Sequence, residues 1–488
     1  MKFTSDSGVK YWYDNELGIS FPLNPDLEKK LTSNPKDCNV EENLETDIDA
    51  VFNSRFLKKI EKIRRRSFKF SQQKITPEML KKYILREGLL QLTLSVTENC
   101  NLACKYCCYS DFYPDTRSSS TKKMNFLTAK AALDYYAALL EAGKRFNPKR
   151  DPSIGFYGGE PLLNFELIKQ CVSYFSTTYP NIKPQYAITT NGTLLDAEKR
   201  AFLIAHNFSI AVSIDGPREE HDRKRVYRDG TGTFDDIMEN VKPILNSGYS
   251  KCHSICVFDW KSDLFTLQEF FNRKDIPRPS VVTLPNTNDG CMYYKQFTPE
   301  DYKKFLETDA NAFNWYICRK KDIGNEDTFF DQIFGLQAGK RLYSVPALID
   351  GTTWIVPYTG ACVPGRKIFV DVEGNFHICE RINHTFPIGN ASTGLDFAKI
   401  VKVIEDYRAC LDRCPSCTTQ KLCGECYCAF AAEGKFRSAS LTCSDPEKNS
   451  RKDLERSFTL AEINPNLPES VADGYYAWLS GVSSTMED

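Results

Sequence analysis

Three cysteines stand close together near residue 100, in the segment Cys100-Asn-Leu-Ala-Cys104-Lys-Tyr-Cys107. They follow residues 90–97, an alternating apolar run that predicts a β-strand. Thiolates spaced by three and two residues in one loop can converge on a single iron–sulfur cluster. Three ligands would leave one iron of a four-iron cluster open, and an open position is where a metal centre can bind a reacting molecule. The alternatives are a zinc knuckle and three unrelated core cysteines.

A second cysteine-rich region covers residues 362–443. Thirteen of the nineteen cysteines lie either here or between residues 100 and 108, and such clustering is typical of metal ligands. Cys362, Gly374 and Cys379 have the spacing CX11GX4C around a predicted β-hairpin at residues 368–378. The cysteines that follow the hairpin and enter the argument below are Cys414, Cys417, Cys423, Cys426, Cys428 and Cys443. A zinc ribbon is the alternative interpretation of such cysteine pairs.

Length and charge restrict the class of protein. The chain has 488 residues, which predicts two to four domains, and 41% of them are hydrophobic, as in globular proteins. A net charge of −1 gives no field that would attract nucleic acid or an anionic membrane. We find no apolar run that could span a bilayer and no signal peptide. The sequence therefore predicts a cytoplasmic protein whose cysteines do not form a disulfide framework.

From residue 90 the pattern alternates between strands and amphipathic helices. Strands are predicted at 90–97, 153–157, 186–190, 209–214, 252–258 and 280–284, and helices at 127–143, 163–177, 197–207, 234–247 and 262–272. Six such units predict an α/β fold with a parallel sheet curved into a partial barrel. Barrels of this kind carry their active sites on the loops at the carboxyl ends of the strands.

The unusual short sequences fall on these loops. The cysteine loop follows the first strand, and Gly158-Gly159-Glu160-Pro161 follows the second. Asn191 ends the third strand, and Ser213 and Asp215 end the fourth. The two glycines are expected to let the backbone approach a ligand closely. Turn formation is the alternative role for Ser213 and Asn191.

The CX3CX2C loop, the Gly-Gly-Glu-Pro segment and the strand ends together resemble the radical S-adenosylmethionine (SAM) enzymes. The resemblance implies a 4Fe–4S cluster on Cys100, Cys104 and Cys107 whose open iron binds SAM, with Tyr106 near the adenine. It places Glu160, after Gly158 and Gly159, at the SAM amino group. It assigns Asn191, Ser213 and Asp215 to ribose or carboxylate contacts. Arg225, the last arginine of His-Asp-Arg-Lys-Arg, is expected to pair with the SAM carboxylate, which suits bidentate guanidinium geometry.

The second cysteine region is similar to the SPASM extension of radical SAM peptide maturases, which holds two auxiliary 4Fe–4S clusters. The resemblance assigns Cys362, Cys379 and Cys426 to the first auxiliary cluster. It assigns Cys414, Cys417, Cys423 and Cys443 to the second. Two residues instead of three separate Cys423 from Cys426, so Cys428 is an alternative to Cys426. No cysteine stands just upstream of Cys362, which predicts an open iron that a substrate thiolate could bind.

These resemblances predict three cofactor clusters, SAM, and a radical enzyme that forms cysteine thioether crosslinks in a precursor peptide. Its partners would be that cysteine-containing peptide with its leader and an electron donor such as flavodoxin or ferredoxin. The first alternative is an anaerobic sulfatase-maturating enzyme that forms formylglycine. Tyr157 and Glu380, our expected catalytic positions, argue against it, because those enzymes carry a glutamine and an aspartate there. The second alternative is a non-catalytic iron–sulfur electron carrier or zinc scaffold.

The predicted fold is thus a partial (β/α)6 TIM-like radical SAM barrel with a small α+β N-terminal module and a cysteine-rich C-terminal SPASM domain. The N-terminal module is similar to the leader-recognition element of peptide maturases, where a leader adds as an edge strand. The predicted boundaries are 1–85 for this module, 86–300 for the barrel, 301–350 for a connection, 351–450 for the SPASM domain and 451–488 for a tail.

Overall fold

The computed structural model of the chain describes most of the sequence. The described residues are 1–15, 17–32, 56–58, 74–86, 89, 91–148, 150–285, 291–320, 327–343, 361–443, 446–467 and 471.

The N-terminal residues form an antiparallel sheet of β1 (Lys2–Thr4), β2 (Lys10–Asp14) and β3 (Ile19–Pro22), in that order. Helices Pro25–Thr32 and Pro77–Arg86 follow. The sheet packs on the C-terminal helix Pro446–Ile463, where the ring centroids of Tyr11 and Phe458 are 4.4 Å apart. The N-terminal module and the C-terminal helix therefore share one small core.

The centre of the molecule is the predicted parallel sheet, with its strands adjacent in chain order. The strands are β4 (Gln91–Thr97), β5 (Ser153–Gly158), β6 (Gln185–Thr190), β7 (Ser209–Ser213), β8 (Cys252–Val257) and β9 (Pro279–Thr283). The helices between them are Phe126–Lys144, Phe165–Thr178, Ala197–Ala205, Arg218–Asp222, Phe234–Asn246 and Leu264–Phe271. All six predicted strands and five predicted helices of the barrel are confirmed, so the carboxyl ends of β4 to β9 form one rim.

The cysteine-rich region extends this sheet. Its strands are β10 (Lys367–Val370), β11 (Asn375–His377), β12 (Gly389–Asn390) and β13 (Gly394–Leu395). Strand β10 pairs in parallel with β4, with Phe369 opposite Thr93, and β11 returns antiparallel to β10. The predicted hairpin is therefore present, and it covers the edge of β4 that the barrel would otherwise expose. This pairing brings the auxiliary cysteines to the strand that precedes Cys100.

The remaining elements surround the barrel and the auxiliary cysteines. The longer helices are Pro299–Arg319, Leu336–Tyr343 and Phe397–Cys410, and the short ones are Thr328–Phe330, Tyr427–Phe430 and Ala439–Thr442. A two-stranded hairpin joins β14 (Ala431–Ala432) to β15 (Lys435–Phe436). Across the described ranges, we find no helix with both the length and the apolar character that crossing a membrane requires.

Candidate active site at the barrel rim

The cysteine loop lies at the carboxyl end of β4 and is fixed to the segment after β7. The Ala103 amide donates to the Val226 carbonyl at 2.8 Å, and the Lys105 amide donates to the Lys224 carbonyl at 3.0 Å. The segment that carries Arg225 is thereby held beside the three cysteines.

The three cysteines of the loop are half-buried and lie near one another. Burial raises the pKa of Cys100 to about 12 and that of Cys104 to about 11, and the neighbouring Cys107 adds to both increases. Buried thiols that oppose each other's ionisation become thiolates together when a bound cation offsets their charge. This donor set fits an iron–sulfur cluster.

Hydrogen bonds to sulfur orient the thiols. The Leu102 amide lies 3.4 Å from Cys100 Sγ, and the Tyr109 amide lies 3.5 Å from Cys107 Sγ. Asn191 Nδ2 is 3.8 Å from Cys100 Sγ. Donors to ligand sulfurs tune the potential of a bound cluster. Asn191 therefore contacts the cysteine loop directly.

The two glycines after β5 give space to this loop. A Cβ on Gly158, whose φ is +139°, would lie 2.1 Å from the Thr97 carbonyl oxygen. One on Gly159 would lie 2.3 Å from the Asn99 carbonyl oxygen. We expected the close approach to be to a ligand, whereas the described contact is with the backbone that leads into Cys100. The glycines therefore set the position of the cysteine loop.

Glu160 is fully buried and ties the ends of β5 and β6 together. Its Oε1 accepts from Thr190 Oγ1 at 2.7 Å and from the Leu162 amide at 3.0 Å, and its Oε2 accepts from the Asn191 amide at 2.7 Å. Burial raises the pKa of Glu160, although these hydrogen bonds oppose the increase. The residue predicted to contact the SAM amino group thus also holds Asn191 in place.

Tyr106, Asp215 and Arg225 form a hydrogen-bonded chain across the rim. Arg225 Nη1 donates to the Tyr106 hydroxyl at 2.6 Å, and that hydroxyl donates to Asp215 Oδ2 at 2.7 Å. Asp215 Oδ1 accepts from the Val257 amide at 3.0 Å. Ser213, at the end of β7, is half-buried two residues before Asp215. Three residues predicted from separate motifs therefore meet in one network.

Arg225 keeps an unused donor in a buried place. Its side chain is 6% exposed, and its Nε has no hydrogen-bond partner among the described residues. Although burial opposes its charge, the acidic neighbours Cys104, Tyr106 and Asp215 hold the pKa of Arg225 well above the usual value. A buried guanidinium with an unpaired N–H fits an anionic ligand such as a carboxylate. The residues present therefore fit SAM beside the cluster.

The two cations that precede Arg225 are occupied. Arg223 donates to both oxygens of Asp259, at 2.9 and 2.8 Å, and Lys224 Nζ donates to Glu220 at 2.7 Å. His221 was missed by the sequence analysis: its Nδ1 accepts from the Asp215 amide at 3.2 Å. Burial holds the pKa of His221 well below its usual value, so the ring is neutral and can accept this bond. The segment thus positions Asp215 and leaves Arg225 to face the site.

Four thiols gather at the first auxiliary position. Cys379 Sγ and Cys428 Sγ are 3.7 Å apart, and the Cys428 thiol also contacts the Cys426 thiol. The pKa of Cys362 is raised by burial and then by the neighbouring Cys379 and Cys426. Cys428, predicted only as an alternative to Cys426, lies in the group together with it.

The second auxiliary position holds the other four predicted cysteines. Burial raises the pKa of Cys414 to about 12, and its next neighbours are Cys423, Cys443 and Cys417. Cys410, which the sequence analysis did not assign, lies near Cys414 and Cys443 as well. It ends the helix Phe397–Cys410 four residues before Cys414, and that spacing is its only signal in the sequence.

Tyr157 and Glu380 lie where the barrel rim meets the first auxiliary group. Burial raises the pKa of Tyr157 well above its usual value, and the neighbouring Cys108 and Glu380 add to the increase. Glu380 Oε2 accepts from Lys367 Nζ at 2.6 Å. Burial opposes ionisation of Glu380, yet Lys367 holds its pKa below the usual value. An ionised carboxylate therefore stands directly after Cys379 and close to the cysteine loop.

A parallel barrel with a trithiol loop and a buried guanidinium that keeps one N–H without a described partner defines a class, namely proteins built to hold a metal cluster and an anionic small molecule. Residues 94–260 match the model of the radical SAM superfamily. GTP 3′,8-cyclase of Haemophilus influenzae is 32% identical over 293 residues, which cover 59% of this chain and 77% of that protein. The chain belongs to the radical SAM superfamily.

Two further comparisons concern sulfatase-maturating enzymes. The cysteine-type anaerobic sulfatase-maturating enzyme of Clostridium novyi is 26% identical over 230 residues, which cover 45% of this chain and 58% of that enzyme. The chain spans about half the length of the curated relatives that it matches. The solved structure of histidine-tagged anSMEcpe with bound AdoMet has a TM-score of 0.56 at 20% identity, covering 80% of this chain and 98% of that one. This last similarity establishes a shared fold.

Proposed function

We propose that the protein is a SAM-dependent radical enzyme that matures a ribosomally made precursor peptide by joining a cysteine sulfur to a carbon as a thioether. The observation that carries the proposal is the placement of Glu380 and Tyr157 between the cysteine loop and the first auxiliary thiols. A substrate bound there would lie close both to the SAM site and to the ionised carboxylate of Glu380.

The cofactor positions follow from the site. Cys100, Cys104 and Cys107 would hold the 4Fe–4S cluster, and Arg225 would bind the SAM carboxylate. When bound there, SAM and a reduced cluster would supply the radical chemistry that removes a hydrogen atom from a substrate carbon. Tyr106 and Asp215 keep the Arg225 guanidinium in one orientation through their hydrogen bonds. The two auxiliary groups of cysteines would hold two further 4Fe–4S clusters.

The atoms and electrons of the thioether step balance as follows. The C–H bond gives up one hydrogen atom, and the substrate thiol gives up a proton as the new C–S bond forms. One electron remains and is taken up by an external carrier such as flavodoxin or ferredoxin. Glu380 is our proposed acceptor of the thiol proton, and its carboxylate is ionised beside Lys367.

The N-terminal sheet is our proposed site for the leader of the precursor. Among the described residues β3 pairs only with β2, and its other edge is where we propose that the leader adds as a strand. Main-chain hydrogen bonds at a sheet edge bind an extended peptide with little demand on its sequence.

Mass spectrometry tests the proposed reaction. The anaerobic assay combines cluster-loaded protein, SAM, dithionite and a cysteine-bearing peptide encoded beside the gene. We expect the peptide to lose two hydrogens per modified cysteine and that thiol to resist alkylation. Glu380→Gln should slow the crosslink more than it slows SAM cleavage, and Glu380→Asp should recover part of the difference. A peptide with unchanged mass despite rapid SAM cleavage would contradict thioether formation on that substrate.

Formylglycine formation is the second candidate function. It is favoured by the similarity to the Clostridium novyi sulfatase-maturating enzyme. Tyr157 and Glu380 stand where the resemblance predicts glutamine and aspartate for that activity, and this departure favours the thioether reaction. Conversion of a peptide cysteine to an aldehyde in the same assay would establish the second candidate and overturn the first.

A further inference from the structure

The first auxiliary group contains four thiols, although the family spacing supplies three. We infer that Cys428 is a fourth metal ligand there, beside Cys362, Cys379 and Cys426, so that this centre is closed by protein thiolates. The inference rests on the proposed function only in that both place a metal centre at this position. It replaces the expectation of an open iron drawn from the missing cysteine upstream of Cys362.

Distances between sulfur atoms support the fourth ligand. Cys428 Sγ lies 3.7 Å from Cys379 Sγ. Thiolates that share one tetrahedral metal ion at about 2.3 Å stand about 3.8 Å apart. The Cys428 thiol also contacts the Cys426 thiol, and Cys426 and Cys379 are the thiol neighbours of Cys362. A four-iron cluster is larger than a single ion, and it would spread these same four side chains outward.

The local fold explains why both cysteines of Cys426-Tyr427-Cys428 face this group. Tyr427 is 2% exposed, and its ring centroid lies 4.2 Å from that of Tyr407 and 6.0 Å from that of Phe436. Cys426 has an extended backbone and precedes the short helix Tyr427–Phe430. Because the Tyr427 side chain packs in the core, the side chains of Cys426 and Cys428 on either side of it lie toward Cys379. Cys428 is buried, at 6% exposure, so it is not a surface thiol.

A closed centre changes the route available to the substrate thiol. Four protein thiolates leave no position for a substrate sulfur at this centre. The substrate cysteine then stays off the metal at this centre. Each ligand thiol binds as a thiolate and releases one proton to solvent, so closing the centre requires no redox partner.

Metal analysis and electron paramagnetic resonance of the cluster-loaded protein test the inference. We would measure iron, acid-labile sulfide and zinc per chain, and the spectrum after dithionite reduction, in wild type, Cys428→Ala and Cys428→Ser. Cys171→Ala, a buried cysteine on the helix Phe165–Thr178, is the matched control. We expect Cys428→Ala to lose part of one centre or change its signal, Cys428→Ser to keep the metal with a shifted signal, and Cys171→Ala to match wild type.

Added thiol gives a second and independent result. This measurement uses a background that carries Cys100→Ala, Cys104→Ala and Cys107→Ala, because the cysteine-loop cluster has an open iron of its own. In that background we expect 2-mercaptoethanol to change the spectrum when Cys428→Ala is added, where a ligand position has opened, and to leave the spectrum unchanged when Cys428 is present. A signal that responds to the thiol in that background with Cys428 present, or Cys428 variants with wild-type metal content and spectra, would overturn the inference. Zinc without sulfide at this position would support four-thiolate ligation while contradicting an auxiliary cluster. These measurements involve no peptide. A failure of the thioether reaction would therefore leave the inference about Cys428 unaffected.

Discussion

At the scale of single residues, the site depends on which of three adjacent cations remains available. Arg223 forms an ion pair with Asp259, and Lys224 forms one with Glu220. Arg225 instead donates to Tyr106 and keeps a buried N–H without a described partner. The sequence motif pointed to Arg225, but it could not give the reason. Glu220 lies only four residues before Lys224, but Asp259, the partner of Arg223, lies beyond β8 and reaches it only in the folded barrel.

The availability of Arg225 leads to a prediction about SAM affinity. Arg225→Lys keeps the charge but loses the planar fork that binds a carboxylate through two hydrogen bonds. We expect the KM for SAM to rise roughly tenfold or more, as the loss of one charge-assisted hydrogen bond implies. The SAM dependence of 5′-deoxyadenosine formation measures it. Arg273→Lys, at an exposed arginine paired with Asp275, should leave KM unchanged, and an unchanged KM in Arg225→Lys would refute the carboxylate contact.

A second prediction at this scale concerns acid sensitivity. Burial lowers the pKa of His253 on β8 to about 4, against about 6.5 in an unfolded chain. The folded state therefore binds fewer protons than the unfolded chain below about pH 6.5, so His253 costs no stability above that pH and increasingly destabilises the fold as the pH falls toward about 4. At about pH 5.5 the cost is about 1.4 kcal/mol.

Thermal unfolding at about pH 7.5 and about pH 5.5 measures this effect. We expect acidification to lower the Tm of wild type more than that of His253→Gln, which has no ring to protonate. Effects of acidification on all other groups, including bound clusters, are common to wild type and variant. The difference between their two decreases in Tm therefore reports on His253. Equal decreases in Tm would mean that His253 titrates normally in the folded protein.

At the scale of elements, the loop after β5 and the cysteine loop fix each other. Gly159→Ala would place a methyl group against the Asn99 carbonyl, and such overpacking costs about 1–3 kcal/mol. We expect the cysteine loop to shift and the iron content assigned to Cys100, Cys104 and Cys107 to fall. Gly424→Ala is the control, because a Cβ there has no neighbour within 4 Å. Full iron content in Gly159→Ala would show that the loop tolerates the displacement.

The strands of the barrel could be predicted, whereas the pairing of β10 with β4 could not. Each barrel strand is a short apolar run bounded by turn residues, which is a local signal. The β10–β4 pair joins segments far apart in the chain, and the sequence of neither segment indicates which strand it pairs with. The contact of Cys426 and Cys428 with Cys379 could not be predicted either. It depends on the burial of Tyr427 in the core, and the spacing of the cysteines does not indicate that burial.

At the scale of the whole molecule, the N-terminal sheet and the helix Pro446–Ile463 share one core. Phe3, Tyr11, Tyr13, Leu422 and Leu454 share a small core beside Phe458. Asn15 Nδ2 donates to the Cys417 carbonyl at 2.9 Å, so the N-terminal sheet also contacts the second auxiliary group. The proposed leader site is therefore coupled to the cysteine-rich region by direct contacts.

The shared core leads to a prediction about local stability. Phe458→Ala removes a ring that packs on Phe3 and Tyr11, and we expect it to weaken the attachment of the N-terminal sheet by about 2 kcal/mol. Hydrogen exchange of residues 2–22 should become faster, while exchange in β4 to β9 stays the same. Leu441→Ala, at a side chain 84% exposed, should change neither. Unchanged exchange at the N-terminus of Phe458→Ala would show that this core does not hold the sheet.

Reductive cleavage of SAM is the most direct test of the central claim, that the barrel rim holds a cluster and SAM. Anaerobic protein with reconstituted clusters, SAM and dithionite would be assayed for 5′-deoxyadenosine. We predict that wild type and Cys171→Ala form it and that Cys104→Ala, which lacks one ligand of the cysteine loop, does not. Formation by Cys104→Ala at the wild-type rate, or none by wild type with its clusters loaded, would contradict the assignment of Cys100, Cys104 and Cys107.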